Sequence, residues 1–213
     1  MDKADGGCGG ADDHGYTSVS SNVFLFRRRG FFVAVLQPKL TVDCRGSTRD
    51  GSTLLMEMES FLSEHPNLMT LIVGYSTMEQ VPSAICNIFH LVTLNLDNNR
   101  LISLPRHCFR KSRGLQSFPA QQNSIAHLED GVFAGIKDLG LIKLGENMLT
   151  DIPLRDFYNH KELQKLHHID LSDNKLANLE PWPFIRSRVY GGSGQFYANL
   201  YHNDIVTFTT PSV

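Results

Sequence analysis

From residue 68 onward the apolar positions recur at a spacing that is neither helical nor strand-like. In "LVTLNLDNNRLISLP" (91–105) leucines fall at 91, 94, 96, 101 and 104, with Asn99 among them. The intervals of 3, 2, 5 and 3 residues match neither the period of about 3.6 of a helix nor the period of about 2 of a strand. The same set returns 24 residues later as Leu115, Phe118, Ala120, Asn123, Ile125 and Leu128, and after another 24 as Leu139, Ile142, Leu144, Asn147, Leu149 and Ile152. A copy 27 residues on reads Leu166, Ile169, Leu171, Asn174, Leu176 and Leu179. A last one, 29 residues on, keeps Leu200, Asn203, Ile205 and Phe208, with Gln195 and Ala198 in its first two slots. Upstream, Leu68, Leu71, Val73, Met78 and Val81 fit, with Ser76 in the asparagine slot. Phe109, Phe133, Phe157 and Phe184 each follow their asparagine by ten residues, a second landmark in phase with the first.

A fixed period of this length predicts a solenoid. Each coil supplies one short strand, centred in the quoted stretch on "TLNLD" (93–97), then turns and returns along the other side. Leu94 and Leu96 are two apart and so point inward together. A single coil cannot bury that layer, and stacked neighbours can. The expected architecture is an α/β solenoid: a curved horseshoe with a parallel sheet on its concave side and an irregular or short-helical convex side. It has about six repeats over 68–213, starting near 68, 91, 115, 139, 166 and 195. Where the strand turns, backbone groups lose their ladder partners. A buried asparagine, with two donors and an acceptor, satisfies them. Asn99, Asn123, Asn147, Asn174 and Asn203 are therefore expected to form a structural ladder.

Some segments depart from the pattern. Pro119 stands mid-strand, where it has no N–H to donate, and Ala120 replaces a leucine. Insertions in "NHKELQK" and "RSRVYGGSGQ" fall in return segments, and "GGSG" (191–194) lacks the framing of a phosphate loop. "TLLMEMESFLSEHP" (53–66) places Leu54, Leu55, Met58, Phe61 and Leu62 on one helical face. Residues 40–67 read as a degenerate N-terminal cap or first repeat. Residues 1–39 read as a disordered leader or imperfect signal region: Gly, Ser and Asp dominate 1–22, and "RRRGFFVAVLQ" has a basic flank but a short apolar core.

The spacing L-x-x-L-x-L-x-x-N-x-L resembles the leucine-rich repeat. The return segments "LPRHCFRKSRGL" and "LEDGVFAGIKDL" are similar to the extracellular animal class of that repeat. "IDLSDNKLANLEPWPF" (169–184) and "NLYHNDIVTFTT" (199–210) resemble invertebrate Toll-like receptor ectodomains and related cell-surface proteins. "LTVDCRG" (40–46) resembles the end of the cysteine-containing cap of such proteins. The resemblance implies non-enzymatic ligand or protein binding outside the cell or at its surface. It also implies a fragment of something longer, because no C-terminal cap follows the last repeat. None of the thirteen asparagines lies in an N-x-[ST] sequon, which keeps a cytoplasmic leucine-rich repeat scaffold as the alternative.

The positions between the inward leucines then carry the function. They stack into three rows: Tyr75, Asn98, Gln122, Glu146, Asp173 and His202; Ile72, Asn95, Pro119, Lys143, Asp170 and Asn199; and Thr70, Thr93, Ser117, Leu141, His168 and Tyr197. Candidate binding residues on this concave face are Tyr75, Asn95, Asn98, Gln122, Lys143, Glu146, His168, Asp170, Asp173, Tyr197 and His202, with Thr93 and Asp97 beside them. The rows turn acidic toward the C-terminal half, which favours a protein or peptide partner with a basic or polar patch.

Composition narrows the classes further. The chain has 213 residues, 41% hydrophobic and 20% charged, with net charge −2. That balance is globular and argues against a nucleic-acid partner. No G-x-S-x-G, H-E-x-x-H or Walker loop occurs, so no enzyme and no cofactor is expected. No apolar run reaches the roughly 18 residues of a membrane segment. His168 and Asp170 lie about 7 Å apart on one strand face, with His202 and Asp173 close by. That set has metal-ligand chemistry, but exposed polar residues on a binding face account for it, and no metal is expected. The four cysteines form no C-x-x-C pair. Cys86 and Cys108, in the return segments of consecutive repeats, are expected to pack as small apolar residues; spacing leaves a disulfide between them open.

Overall fold

The structure is a computed structural model. It describes the backbone of four N-terminal strands, positions 55, 59, 62–63 and 163, and residues 66–152, 165–178 and 196–206. One sheet runs through the described residues. Its strands are β1 (Tyr16–Ser20), β2 (Val23–Arg28), β3 (Phe31–Leu36), β4 (Lys39–Asp43), β5 (Thr70–Ile72), β6 (Thr93–Asn95), β8 (Ser117–Pro119), β10 (Leu141–Lys143), β11 (His168–Asp170) and β12 (Tyr197–Asn199), paired in that order. A second sheet pairs β7 (Ser103–Leu104) with β9 (His127–Leu128) on the return side. Strands β4 to β12 of the main sheet pair in parallel, one per coil.

The register follows the leucine spacing. Val42, Leu71 and Leu94 are partners in turn, as are Phe118, Ile142, Ile169 and Ala198. Leu71, Leu94, Phe118, Ile142 and Ile169 are fully buried. The residues on either side of each face outward and are partly or fully exposed. Leu91, Leu101, Leu104, Leu115, Leu139 and Leu149 complete one continuous core. Each such leucine contributes about 1.5–3 kcal/mol by leaving water.

The asparagines bridge coils. Asn99 Oδ1 accepts from Met78 N–H at 3.1 Å, and its Nδ2 donates to the carbonyls of Val73 at 2.8 Å and Leu96 at 3.1 Å. Asn147 repeats the pattern with Ile125 N–H, Ala120 and Leu144, each at 3.0 Å. Asn123, Asn174 and Asn203 do the same with Leu101, Leu149 and Leu176 as donors. Each side chain thus fixes its own turn to the preceding coil.

Pro119 leaves a visible defect. β5 pairs β6, and β8 pairs β10, over three residues each, whereas β6 and β8 share only Thr93↔Ser117. The Pro119 carbonyl still accepts from Leu96 N–H at 2.9 Å. Beside the small Ala120, the ring of Phe118 packs edge-on between Phe109 (4.8 Å) and Phe133 (5.5 Å). This buried stack supplies the volume that alanine does not.

On the return side, short 3-10 turns span Ser83–Asn87 and Cys108–Lys111. The free N–H groups at the start of the first are taken by Glu59, which accepts from Ser83 and, at 2.8 Å, from Ala84. Positions 55, 59, 62 and 63 are helical, within the stretch expected to form a helix. Cys86 and Cys108 are joined in a disulfide, Cα–Cα 4.3 Å. The expectation that they pack only as small apolar residues is corrected accordingly: the stacking of two return turns brings their backbones within bonding reach.

The N-terminal stretch also differs from its expected state. β1, β2 and β3, inside the segment read as a leader, form an antiparallel meander that continues through β4 into the main sheet. A basic flank and a short apolar run suit a hairpin strand as well as a poor signal peptide, and composition alone does not separate them. Phe157, Phe184, Leu179, Phe208, "GGSG", "LEPWPF", Cys8, Cys44 and the two insertions, apart from Leu163 and Lys165, lie outside the described residues.

Candidate functional site

The three rows read from the sequence occupy two different kinds of backbone. Thr70, Thr93, Ser117, Leu141, His168 and Tyr197 open their strands, and Ile72, Asn95, Pro119, Lys143, Asp170 and Asn199 close them, all facing away from the core. The third row is not in the strands. Tyr75, Asn98, Gln122, Glu146, Asp173 and His202 sit in the turn beyond, each just before the asparagine slot, with φ between +52° and +56°. Non-glycine residues avoid this left-handed region. Its recurrence once per coil aligns six side chains along one edge of the sheet.

Several candidates meet directly. Gln122 Nε2 donates to both carboxylate oxygens of Glu146, at 2.9 and 3.1 Å. His202 Nδ1 lies 2.8 Å from Asp173 Oδ1. The rings of His168 and Tyr197 are 4.9 Å apart. Tyr75 is 62% and Tyr197 55% exposed, large aromatic surfaces open to solvent. Exposed aromatics of this kind are favoured anchors in protein interfaces.

Other candidates are partly committed to the scaffold. Asn95 Oδ1 accepts from Asp97 N–H at 2.8 Å, and Asp170 Oδ1 from Ser172 N–H at 3.0 Å and Ser172 Oγ at 2.7 Å. These are Asx turns that close the strand end. Asp97 turns its carboxylate to Gln121 N–H at 2.8 Å. Burial pushes its pKa above the ordinary carboxylate value, against the smaller opposing effects of Gln121 N–H, the Lys143 charge and Asn95. Asp97 thus braces the next coil as well as bordering the face.

Sequence reasoning named Asp97 but missed the row it belongs to: Gly74, Asp97, Gln121, Gly145, Ser172 and Tyr201. Gly74 and Gly145 make room there, since a Cβ at Gly74 would come 2.9 Å from Asn95 Oδ1. Tyr201, 67% exposed, stacks on His202 at 3.8 Å. The signal was present: the row holds the residue next to each left-handed position. Among the described residues no group of three His, Cys, Asp or Glu side chains is placed to hold a metal ion.

Residues 113–176 match the family model described as Leucine rich repeat, and 90–112 match a second model of the same description. The chain is a leucine-rich repeat protein, as its parallel sheet, periodic core and bridging asparagines require. It is 33% identical over 93 residues to Tsukushi of Rattus norvegicus, covering 44% of this chain and 26% of the relative. It is 30% identical over 161 residues to the oligodendrocyte-myelin glycoprotein of Homo sapiens, covering 68% of this chain and 34% of the relative. It is 32% identical over 142 residues to leucine-rich repeat-containing G-protein coupled receptor 5 of Rattus norvegicus, covering 66% and 15%. The chain therefore spans about a third or less of the relatives' lengths. A solved leucine-rich repeat protein of Leptospira interrogans aligns at 25% identity and TM-score 0.49, over 55% of this chain and 28% of the other. Among the described residues no helix is long and apolar enough to cross a membrane.

Proposed function

We propose that this chain is a non-enzymatic binding module that recognises a protein or peptide on its concave face, outside the cell or at its surface. The observation that carries the reading is the outward sheet face. Its inward positions are all spent on the core, while Tyr75, Tyr197, Tyr201, His168, His202 and Glu146 project from regularly stacked coils without a core to serve. A rigid, extended face of aromatic and polar side chains suits peptide recognition. The carboxylates of Glu146, Asp170 and Asp173 favour a basic segment in the partner.

The Cys86–Cys108 disulfide supports an oxidising compartment over a cytoplasmic scaffold. The names of two relatives, a glycoprotein and a receptor, point the same way. The finer assignment, a piece of a Toll-like receptor ectodomain, rests on residues 169–184 and 199–210 alone.

A displayed peptide library panned against the purified chain tests the reading. Binders should be enriched in Lys and Arg, and the double variant H168A/Y197A should weaken them at least about tenfold, the loss of one anchor's worth of interface energy. Binders that ignore this variant would place recognition elsewhere. Thiol labelling of the tagged chain in medium and cytosol checks the compartment: a reduced chain confined to the cytosol would restore the scaffold alternative.

A further inference from the structure

The return side carries a charge pattern that the concave face does not explain. From Asn98 to Leu128 there is no Asp or Glu, yet Arg100, Arg106, Arg110, Lys111 and Arg113 fall there, in a chain of net charge −2. Four of the five, with His107, lie within residues 106–113 on a single return arc. Arg106, His107, Arg110 and Arg113 are exposed and Lys111 is half-buried. Among the described residues none of these side chains forms an ion pair. The equivalent arc of the next coil, 129–138, carries Glu129, Asp130 and Asp138 with one Lys137. The basic band therefore does not continue into that coil.

The arc is held rigid. Cys108 is tied to Cys86 of the preceding return turn, Phe109 is fully buried, and Ser112 Oγ donates to Ile88 carbonyl at 2.9 Å. Lys111 Nζ donates to Asn87 at 2.8 Å and lies 5.1 Å from the centroid of the exposed Phe89 ring. Arg113 borders an open cleft of about 640 Å³ shared with Met69, Phe89, His90 and Val92. Arg106 Nε donates to His107 Nε2 at 3.1 Å, which leaves its terminal N–H groups outward. Exposed guanidinium groups on a fixed arc meet sulfate or phosphate oxygens two at a time.

We propose that the arc 106–113 docks a sulfated polysaccharide chain. Charge complementarity selects a linear polyanion. The disulfide in the middle of the arc favours an oxidising compartment, where sulfated polysaccharide rather than nucleic acid is the polyanion at hand. That choice of polyanion rests on the extracellular reading above; the basic surface does not.

Heparin-agarose at neutral pH and about 0.15 M salt tests the surface with the full chain. The wild type should be retained despite its net negative charge. The variant R110S/R113S should lose at least about tenfold in affinity for heparan sulfate, with an unchanged melting temperature, since each cation removed releases fewer counterions on binding. R110K/R113K should keep most of the retention, and H168A/Y197A all of it. A wild type that flows through, retention indifferent to R110S/R113S, or single-stranded DNA that competes as strongly as heparan sulfate would each overturn the proposal. A chain found only reduced in the cytosol would remove the extracellular reading and with it the choice of polysaccharide, whereas flow-through by an oxidised, secreted chain would remove the docking surface alone.

Discussion

Gln122 holds the carboxylate of Glu146 at both oxygens across one coil boundary, and both residues have φ of +53°. The left-handed turn aims each side chain along the edge of the sheet, so that successive coils meet there. Local backbone geometry, at a position sequence periodicity treats as ordinary, thus builds one border of the proposed binding face.

The left-handed column gives a contrast at a single site. Glu146→Gly loses an exposed hydrogen bond but relieves the steric penalty, and stability should stay within about 1 kcal/mol of wild type. Glu146→Val loses the same bond and keeps a branched side chain at positive φ, so it should unfold about 1–2 kcal/mol more easily than the glycine variant. Urea denaturation of the pair measures the difference; equal midpoints would mean the turn relaxes out of the left-handed region.

Much of this was legible in the sequence. The inward slots and the asparagine slots announce themselves because burial and turn chemistry constrain them in every coil. Tyr75 and Glu146 could be placed in a stacked row but not in a turn, since no residue type is obligatory there. The Asx turns of Asn95 and Asp170 were hidden because an exposed asparagine and a self-bonded one read alike. The Cys86–Cys108 bond depends on how closely two return turns stack, which spacing does not give. The basic arc stood in plain view, but its segment was read for its repeat spacing, Phe109 and Cys108 rather than for its charge.

Asn147 is buried and satisfies four backbone groups from two coils. Asn147→Ala strands them and should lower unfolding free energy by about 1–3 kcal/mol. Asn123, only partly buried, should lose less on the same substitution because water reaches the orphaned groups. A wild-type denaturation midpoint for Asn147→Ala would show that those groups find other partners.

The disulfide closes a loop with a sequence separation of 22 residues. Constraining a loop of that length in the unfolded chain contributes roughly 3 kcal/mol. Cys86→Ala/Cys108→Ala should therefore shift the urea midpoint down, and reductant should shift the wild type by a similar amount while leaving the double variant unmoved. A wild type indifferent to reductant would mean that the thiols are not joined in solution.

Asp97 gives the clearest dependence on pH. Its pKa in the folded chain is raised above 3.8, burial being the largest cause. The folded state then holds the proton more tightly than the unfolded chain, so the group favours folding below 3.8 and that advantage is lost as pH rises through the folded value. At neutral pH the ionised carboxylate is a net penalty. Asp97→Asn removes the charge and keeps an acceptor for Gln121 N–H. The variant should melt above wild type at neutral pH, and the gap should narrow on acidification and close below pH 3.8. Thermal melts of both proteins across that range measure it. A gap that does not change with pH would assign the effect to packing around the side chain rather than to its charge.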